Sequence, residues 1–494
     1  MSFSPYLILL IIAAYFALLV GISWLTTRRL QPDSFYLGNR RNPWYIIAIG
    51  MIGSSISGVT FISVPGMVGA GQFAYVQMVL GFVVGYVVVS QVLLPLYYGL
   101  GLTSIYTYLE RRFGKSAYKT GASFFLLSRL LGSTIRLLVV SVVLQTIVFD
   151  KLGIPFFVNV MITVALIFVY TNKGGIKTII WTDLLQTVSL LATLALSIYS
   201  IANYMGLSWH GLWQTVRESD LSRVFFFDNP ADKRYFWKQF LAGIFTTITM
   251  TGLDQDLMQK NLSCKNLREA QRNVHSYGLA FLPVNLLFLS LGVLLYAFMG
   301  QSGIALPANP DNIFPMIATG GYLPAIAGIF FIIGIISAAY SSADSALAAL
   351  TTSFTIDILG LKNDDKKLTR KRKIVHLGFS LAFVALILLI NAWGNQSLIN
   401  TVYNVASYTY GPLLGLFAFG LFTKRQVKDR WIPLVALLSP LLSWVLKEAS
   451  PHLLNGYQFG FELLIVNGLF TFAGLWLLRN PTAPLCPQPP RPQK

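Results

Sequence analysis

Apolar runs of about 20 residues, each long enough to cross a bilayer as a helix, recur along the whole chain. They predict about thirteen spans, at 6–26, 44–71, 75–100, 118–149, 154–171, 176–204, 237–258, 276–299, 322–357, 374–393, 398–422, 431–447 and 463–479. The polar segments between them are too short for a separate domain. The first run, Tyr6 to Leu25, has no basic lead-in and no small-residue cleavage site, so it is expected to be a retained span and not a cleaved signal.

Two spans depart from a plain apolar pattern. The ninth carries Ser341, Ser342 and Ser345 together with a carboxylate, Asp344. Ala338, Ser341, Ser342 and Ser345 recur at spacings of three and four, which puts them on one helix face. That face suits a packing seam of small residues whose serines bond back to their own helix. It equally suits a hard cation such as sodium, because hydroxyls and carboxylates are hard oxygen ligands. Asp344 favours the second reading, since a charge at membrane depth costs roughly 2.5–3.5 kcal/mol or more. The second span reads Gly50-Met-Ile-Gly-Ser-Ser-Ile-Ser-Gly-Val-Thr-Phe-Ile-Ser-Val-Pro-Gly66. Its glycines, hydroxyls and proline are poor for a continuous helix and predict either a kinked helix packed through its glycines or, favoured, an unwound segment with free carbonyls lining a cavity.

Three further charges lie inside spans. Arg129 and Arg136 in the fourth differ by only about 20° around a helix, so they share a face. Arg136 is too deep to snorkel and needs a buried partner, either a structural carboxylate or a carboxylate ligand. Asp183 lies about two turns into the sixth span and could reach the depth of Asp344.

Composition agrees with a polytopic membrane protein. Of 494 residues, 55% are hydrophobic and 11% charged, against about 25% charged in soluble domains. The net charge of +18 could suggest nucleic acid, but the bases sit in short loops of one parity. These are Arg28, Arg29, Arg40 and Arg41; Arg111, Arg112, Lys115 and Lys119; Lys260, Lys265, Arg268 and Arg272; Lys362, Lys366, Lys367 and Arg370 to Lys373; and Lys424, Arg425, Lys428 and Arg430. The loops at 300–321 and 394–397 have no Lys or Arg. The positive-inside rule then places the N-terminus outside and the C-terminus inside. The mixed-charge, Trp-rich loop near 205–236 is expected outside, with a short surface helix, and the Pro-rich tail from Pro481 is expected to be disordered. Cys264 and Cys486 fall in cytoplasmic segments with no metal spacing, and His210, His275, His376 and His452 read as interfacial residues. No phosphate loop, catalytic triad or zinc motif is present, so an enzyme is not expected.

Several segments together resemble the sodium:solute symporter family. They are Gly174-Gly175 with Trp181-Thr182-Asp183, the Ser-rich ninth span, Gln255-Asp256-Leu-Met-Gln259, and Tyr410-Gly411-Pro412 leading to Gly420-Leu-Phe-Thr-Lys-Arg425. The resemblance runs over nearly the whole chain. It implies an all-α polytopic membrane protein with a LeuT-like 5+5 inverted repeat, one extra N-terminal helix and two extra C-terminal helices. The divisions are then 1–43, a transport core at 44–425 with repeats 44–205 and 237–425, two helices at 426–480, and a tail at 481–494. It also implies a coupling sodium held by the carbonyls of Gly53, Ile56 and Ala338 with the hydroxyls of Ser341 and Ser342. A second sodium site in some members maps to Asp183, Ser341, Asp344 and Ser345.

Locally the chain is most similar to bacterial sialic acid symporters of that family. By that likeness Ser57, Thr60 and Arg136 hold a solute carboxylate and Ser55 lines the solute site. Tyr75 stands where the pattern has Phe, and Val79 where it has a solute-contacting Gln, for which Gln72 or Gln77 could compensate. Asp344 replaces a Ser and Arg129 an apolar residue. An ion pair between these two, or a second sodium site tightened by Asp344, would explain the joint change. The resemblance implies sodium-coupled uptake of a small polar, carboxylate-bearing solute by alternating access, in a bacterial cytoplasmic membrane. The partners expected are solute, sodium and lipid, without nucleic acid, and the protein is expected to work as a monomer. A neutral sugar or polyol as solute, a non-transporting sensor, an intramembrane enzyme, and proton coupling at Asp183 or Asp344 remain open at this stage.

Overall fold

The computed structural model describes residues 5–27, 40, 42–361, 368–392, 398–454 and 456–479. Much of the basic loop after the first span, Lys362, Lys366 and Lys367, the 394–397 loop, Cys486 and the Pro-rich tail lie outside the described residues. Among the described residues there is no strand, only two isolated bridges, so the chain is all helical.

The first half runs α1 (Pro5–Thr27), α2 (Trp44–Ser55), α3 (Gly58–Gly71), α4 (Tyr75–Gly99), α5 (Lys115–Leu152), α6 (Phe156–Asn172) and α7 (Gly175–Tyr204). The second runs α8 (Phe236–Thr247), α9 (Gln255–Leu262), α10 (Leu267–Ser302), α11 (Ala325–Ile358), α12 (Thr369–Ala392), α13 (Thr401–Phe422), α14 (Ile432–Leu453) and α15 (Leu463–Leu477). Nine helices among the described residues are long and apolar enough to cross a membrane, and ten if α2 and α3 form one bent span. The shorter apolar helices α6 and α15 fall where the sequence places two further spans.

Burial separates core from periphery. The most apolar windows of α11 and α13 are 72% buried, whereas those of α1, α12 and α14 are 28% buried. A helix that is apolar all round and little buried by protein faces lipid. On the Trp-rich loop near 205–236 the expected short helix forms at Trp209–Glu218, capped by Ser208. His376 departs from the interfacial reading. It is buried, bridging Thr171 on α6 and Thr351 on α11 at 3.0 Å each.

Two spans are broken. The α2–α3 pair bends by 57°, with Ile56 and Ser57 in extended conformations between the halves. The Ser57 hydroxyl accepts from the Thr60 amide and so caps α3, while Pro65 removes a donor from its interior. The second break was not foreseen, because 237–258 reads as one apolar span. α8 passes through a π turn at Ile248–Gly252, the chain extends at Asp254, and α9 starts afresh under an Asp254 side-chain cap. A third interruption separates α6 from α7, where Gly175 takes φ +55°.

Candidate functional site

A cavity opens beside the α2–α3 break. Ser54, Ser55, Ser57, Val59 and Thr60 line it from the broken span, and Arg129 and Arg136 line it from α5. Tyr75, Phe82 and Tyr86 of α4 form another wall, and Thr246, Thr247, Met250 and Thr251 of the α8 segment a third. Val402 and Tyr403, with Leu257 and Phe281, complete it, and the Tyr75 and Tyr403 hydroxyls are hydrogen-bonded at 3.0 Å. Close packing fixes the break here. A Cβ on Gly58 would lie 2.8 Å from Val140 Cγ2 and 3.8 Å from the Arg136 carbonyl oxygen. The lining is thus aromatic and hydroxyl-rich, with cations on one side.

The two arginines are not equivalent. Arg129 is buried in an ion pair with Asp256, and its Nη1 lies 3.7 Å from Asp254 Oδ2, which also accepts from the Tyr410 hydroxyl. The expected pairing of Arg129 with Asp344 does not occur. The break before α9 brings Asp254 and Asp256 to Arg129, while Asp344 Oδ2 accepts from the Tyr170 hydroxyl at 2.9 Å. Arg136, by contrast, has no ion pair among the described residues, and its buried Nε has no hydrogen-bond partner. It is a guanidinium on the wall of the cavity with no carboxylate in contact among the described residues.

Of the residues expected to contact solute, the structure brings Ser55, Ser57, Thr60, Tyr75 and Arg136 to this cavity. Gln77 is not among them. Its amide nitrogen donates to the Ala74 and Arg234 carbonyls and its oxygen accepts from the Phe226 amide, so it anchors the 205–236 loop. Gln72 does similar work, donating to the Asp220 carbonyl at 2.7 Å. Neither replaces the glutamine missing at Val79.

Behind the break lies a second polar cluster. α7 packs tightly on α2: a Cβ on Gly50 would lie 3.0 Å from Asp183 Cβ, and one on Gly53 only 2.1 Å from Thr187 Oγ1. Asp183 accepts from Ser341 at 2.6 Å on Oδ1, and from Ser54 at 3.0 Å on Oδ2. Ser341 and Ser54 are themselves 3.3 Å apart, so the serine face of α11 meets the broken span. The neighbouring Ser342 hydroxyl is buried without a partner. Asp344 Oδ1 accepts from its neighbour, the Ser345 amide, at 2.5 Å. Gly53, Ile56 and Ala338, expected to offer carbonyls, sit on these same segments.

One member of the cluster was missed. Lys260, placed by the charge pattern in a cytoplasmic loop, is 1% exposed. Its ammonium donates to Asp183 Oδ2 at 2.7 Å, Ser54 Oγ at 2.6 Å and Ser345 Oγ at 2.7 Å. α9 continues to Leu262 and carries the lysine inward, where a buried carboxylate compensates its charge. Among the described residues no His, Cys, Asp or Glu group has a metal-binding arrangement, and sodium needs none, since carbonyls and hydroxyls suffice.

The model of the sodium:solute symporter family matches residues 35–429. The chain belongs to this family. It is 25% identical over 489 residues to the sodium/sialic acid symporter NanT of Aliivibrio fischeri, covering 92% of this chain and 90% of that protein. It is 23% identical over 431 residues to the human sodium/iodide cotransporter (85% of this chain, 66% of that protein). It is 26% identical over 409 residues to human sodium-coupled monocarboxylate transporter 1 (78% and 64%). The match thus spans about two thirds of the length of these human relatives. Among solved structures, a Na+-coupled sialic acid symporter in a substrate-bound outward-open state superposes with a TM-score of 0.79 at 19% identity, covering 96% of this chain and 97% of that one. Mhp1, a nucleobase-cation-symport-1 family transporter in a closed conformation with bromovinylhydantoin bound, gives 0.54 at 15% identity (90% and 94%). These likenesses show that this symporter-family chain has the LeuT-like transporter fold.

Proposed function

We propose that this protein is a secondary active transporter that couples inward sodium movement to uptake of a small carboxylate-bearing solute, by alternating access around the α2–α3 break. The observation that carries this reading is Arg136. It is a deep cation with no ion pair among the described residues, on the wall of a cavity whose other polar groups are hydroxyls and the ion-paired Arg129. A carboxylate would supply the missing partner in a charge-assisted, bidentate pair. Hydroxyls at Ser55, Ser57 and Thr60 suit the remaining oxygens of a hydroxylated acid such as a sugar acid. The named relatives fit this reading, since iodide, monocarboxylates and sialic acid are all anions.

Sodium is the coupling ion of the family. In this reading it sits between the α2–α3 break and α11, on the carbonyls of Gly53, Ile56 and Ala338 and the hydroxyls of Ser341 and Ser342. The distribution of basic loops supports a cytoplasmic-membrane location with the N-terminus outside.

The test is uptake into proteoliposomes of sialic acid, hexuronates, short carboxylates, neutral sugars and inositol, with inward sodium or with choline. Sodium-dependent uptake of acids alone is expected, with Arg136→Ala lowering it at least about a hundredfold through loss of a charge-assisted pair. Uptake of a neutral sugar that survives Arg136→Ala would overturn the assignment of Arg136 to a carboxylate.

A further inference from the structure

The oxygens that the family resemblance would give to a second sodium are engaged by the protein's own cation. Lys260 Nζ lies within 2.7 Å of Asp183 Oδ2, Ser54 Oγ and Ser345 Oγ, and an ammonium has three hydrogens to give. All three are used. Both oxygens of Asp183 are engaged as well, since Oδ2 also accepts from Ser54 and Oδ1 accepts from Ser341. A sodium ion entering this cluster would have to compete for the same oxygens against a fixed positive charge at contact distance. Ser342, one residue from Ser341, presents the opposite case: it is 1% exposed and its hydroxyl has no partner. One cation position is filled from within the chain, and the adjoining one keeps an idle ligand.

We propose that Lys260 is a tethered cation standing in the second cation position, and that it fixes the coupling ratio at one sodium per solute. The inference deepens the symporter reading and rests on it. α9 delivers the lysine because the break at Asp254 lets this short helix enter the core with every one of its residues buried. The pair to Asp183 joins α9 to α7, and Ser54 and Ser345 bring in α2 and α11, so one ammonium ties together four elements. Removing the side chain while keeping Asp183, Ser54, Ser341, Asp344 and Ser345 would leave a set of hard oxygens with uncompensated negative charge. Such a set suits a monovalent hard cation.

The experiment is equilibrium binding of radioactive sodium to the purified full chain, which needs no knowledge of the solute. One ion per wild-type molecule is expected, two per Lys260→Ala molecule, and one per Lys260→Arg molecule, which retains the tethered charge. Ser342→Ala removes a ligand of the open position and is expected to weaken the wild-type ion. Wild type binding two ions overturns the inference and leaves the symporter reading intact. Wild type binding none overturns both. One ion per Lys260→Ala molecule likewise overturns the inference; if that variant does not fold, Lys260→Gln, which also lacks the charge, is read by the same two counts.

Discussion

Ser341 and Ser342 are neighbours on α11 with different partners, and that difference carries a prediction. Ser341 donates to Asp183, whereas the Ser342 hydroxyl is buried and unpartnered. An unsatisfied buried hydroxyl costs about 1–3 kcal/mol, which a bound cation would relieve. Ser342→Ala is therefore expected to raise the sodium concentration for half-maximal binding about tenfold, equivalent to about 1.4 kcal/mol. It should leave thermal stability in sodium-free buffer unchanged or slightly higher. An unaltered sodium dependence would place the ion elsewhere. The two arginines on α5 diverge in the same way. Arg129→Leu strands Asp254 and Asp256 in the core, and breaking a buried pair costs about 3–5 kcal/mol, so a clearly lower melting temperature is expected. Arg136→Ala breaks no ion pair and should melt near wild type while losing solute uptake. Similar melting of both variants would show that the Arg129 pairs contribute no stability.

At the scale of elements, close approach of α2 and α7 holds the first break in place. The Cβ that Gly53→Ala adds would lie 2.1 Å from Thr187 Oγ1 and 3.1 Å from Thr187 Cα, so α2 must shift. Overpacking of this kind costs about 1–3 kcal/mol, and here it also displaces the Gly53 carbonyl expected to ligate sodium. Gly53→Ala should lower both melting temperature and sodium affinity. Adding Thr187→Ala removes Oγ1 and should recover part of each; no recovery would mean that the backbone of α7, not the hydroxyl, sets the spacing. The first break and the serine face of α11 were legible in the sequence because each is a local pattern of glycine, proline and hydroxyls within one span. The second break was not. Asp254 interrupts an otherwise apolar run near its end, where a carboxylate reads as the edge of a span. Lys260 was misplaced for a related reason. A lysine just beyond an apolar run resembles an interfacial base, and its partner Asp183 is 77 residues away in sequence. Arg129 likewise finds Asp256 across 127 residues, and the pairing with Asp344 failed because depth alone does not fix which helices touch. Gln77 lies in the right helix for the cavity, but its side chain meets the 205–236 loop, whose path no periodicity records.

For the whole molecule, the coupling ratio decides whether the membrane potential can drive uptake. Lys260 stays with the protein, so with one sodium and a monoanionic solute the transported charge is zero. The potential then contributes nothing, and a tenfold sodium gradient alone supplies about 1.4 kcal/mol, or tenfold accumulation. A second sodium would add another gradient term and one net charge worth about 2.3 kcal/mol at 100 mV, together several hundredfold in accumulation. Proteoliposomes with a potassium gradient and valinomycin separate the cases. Wild-type accumulation of the anionic solute is expected to be the same with and without an inside-negative potential. Lys260→Ala, if it turns over, should gain potential dependence and a steeper response to sodium. Its turnover will be slower, because the variant must strip a second ion from buried oxygens in each cycle. A wild-type protein whose accumulation rises tens of times at 100 mV carries net positive charge with its solute, and Lys260 would then be a structural partner of Asp183 with no hold on the ratio.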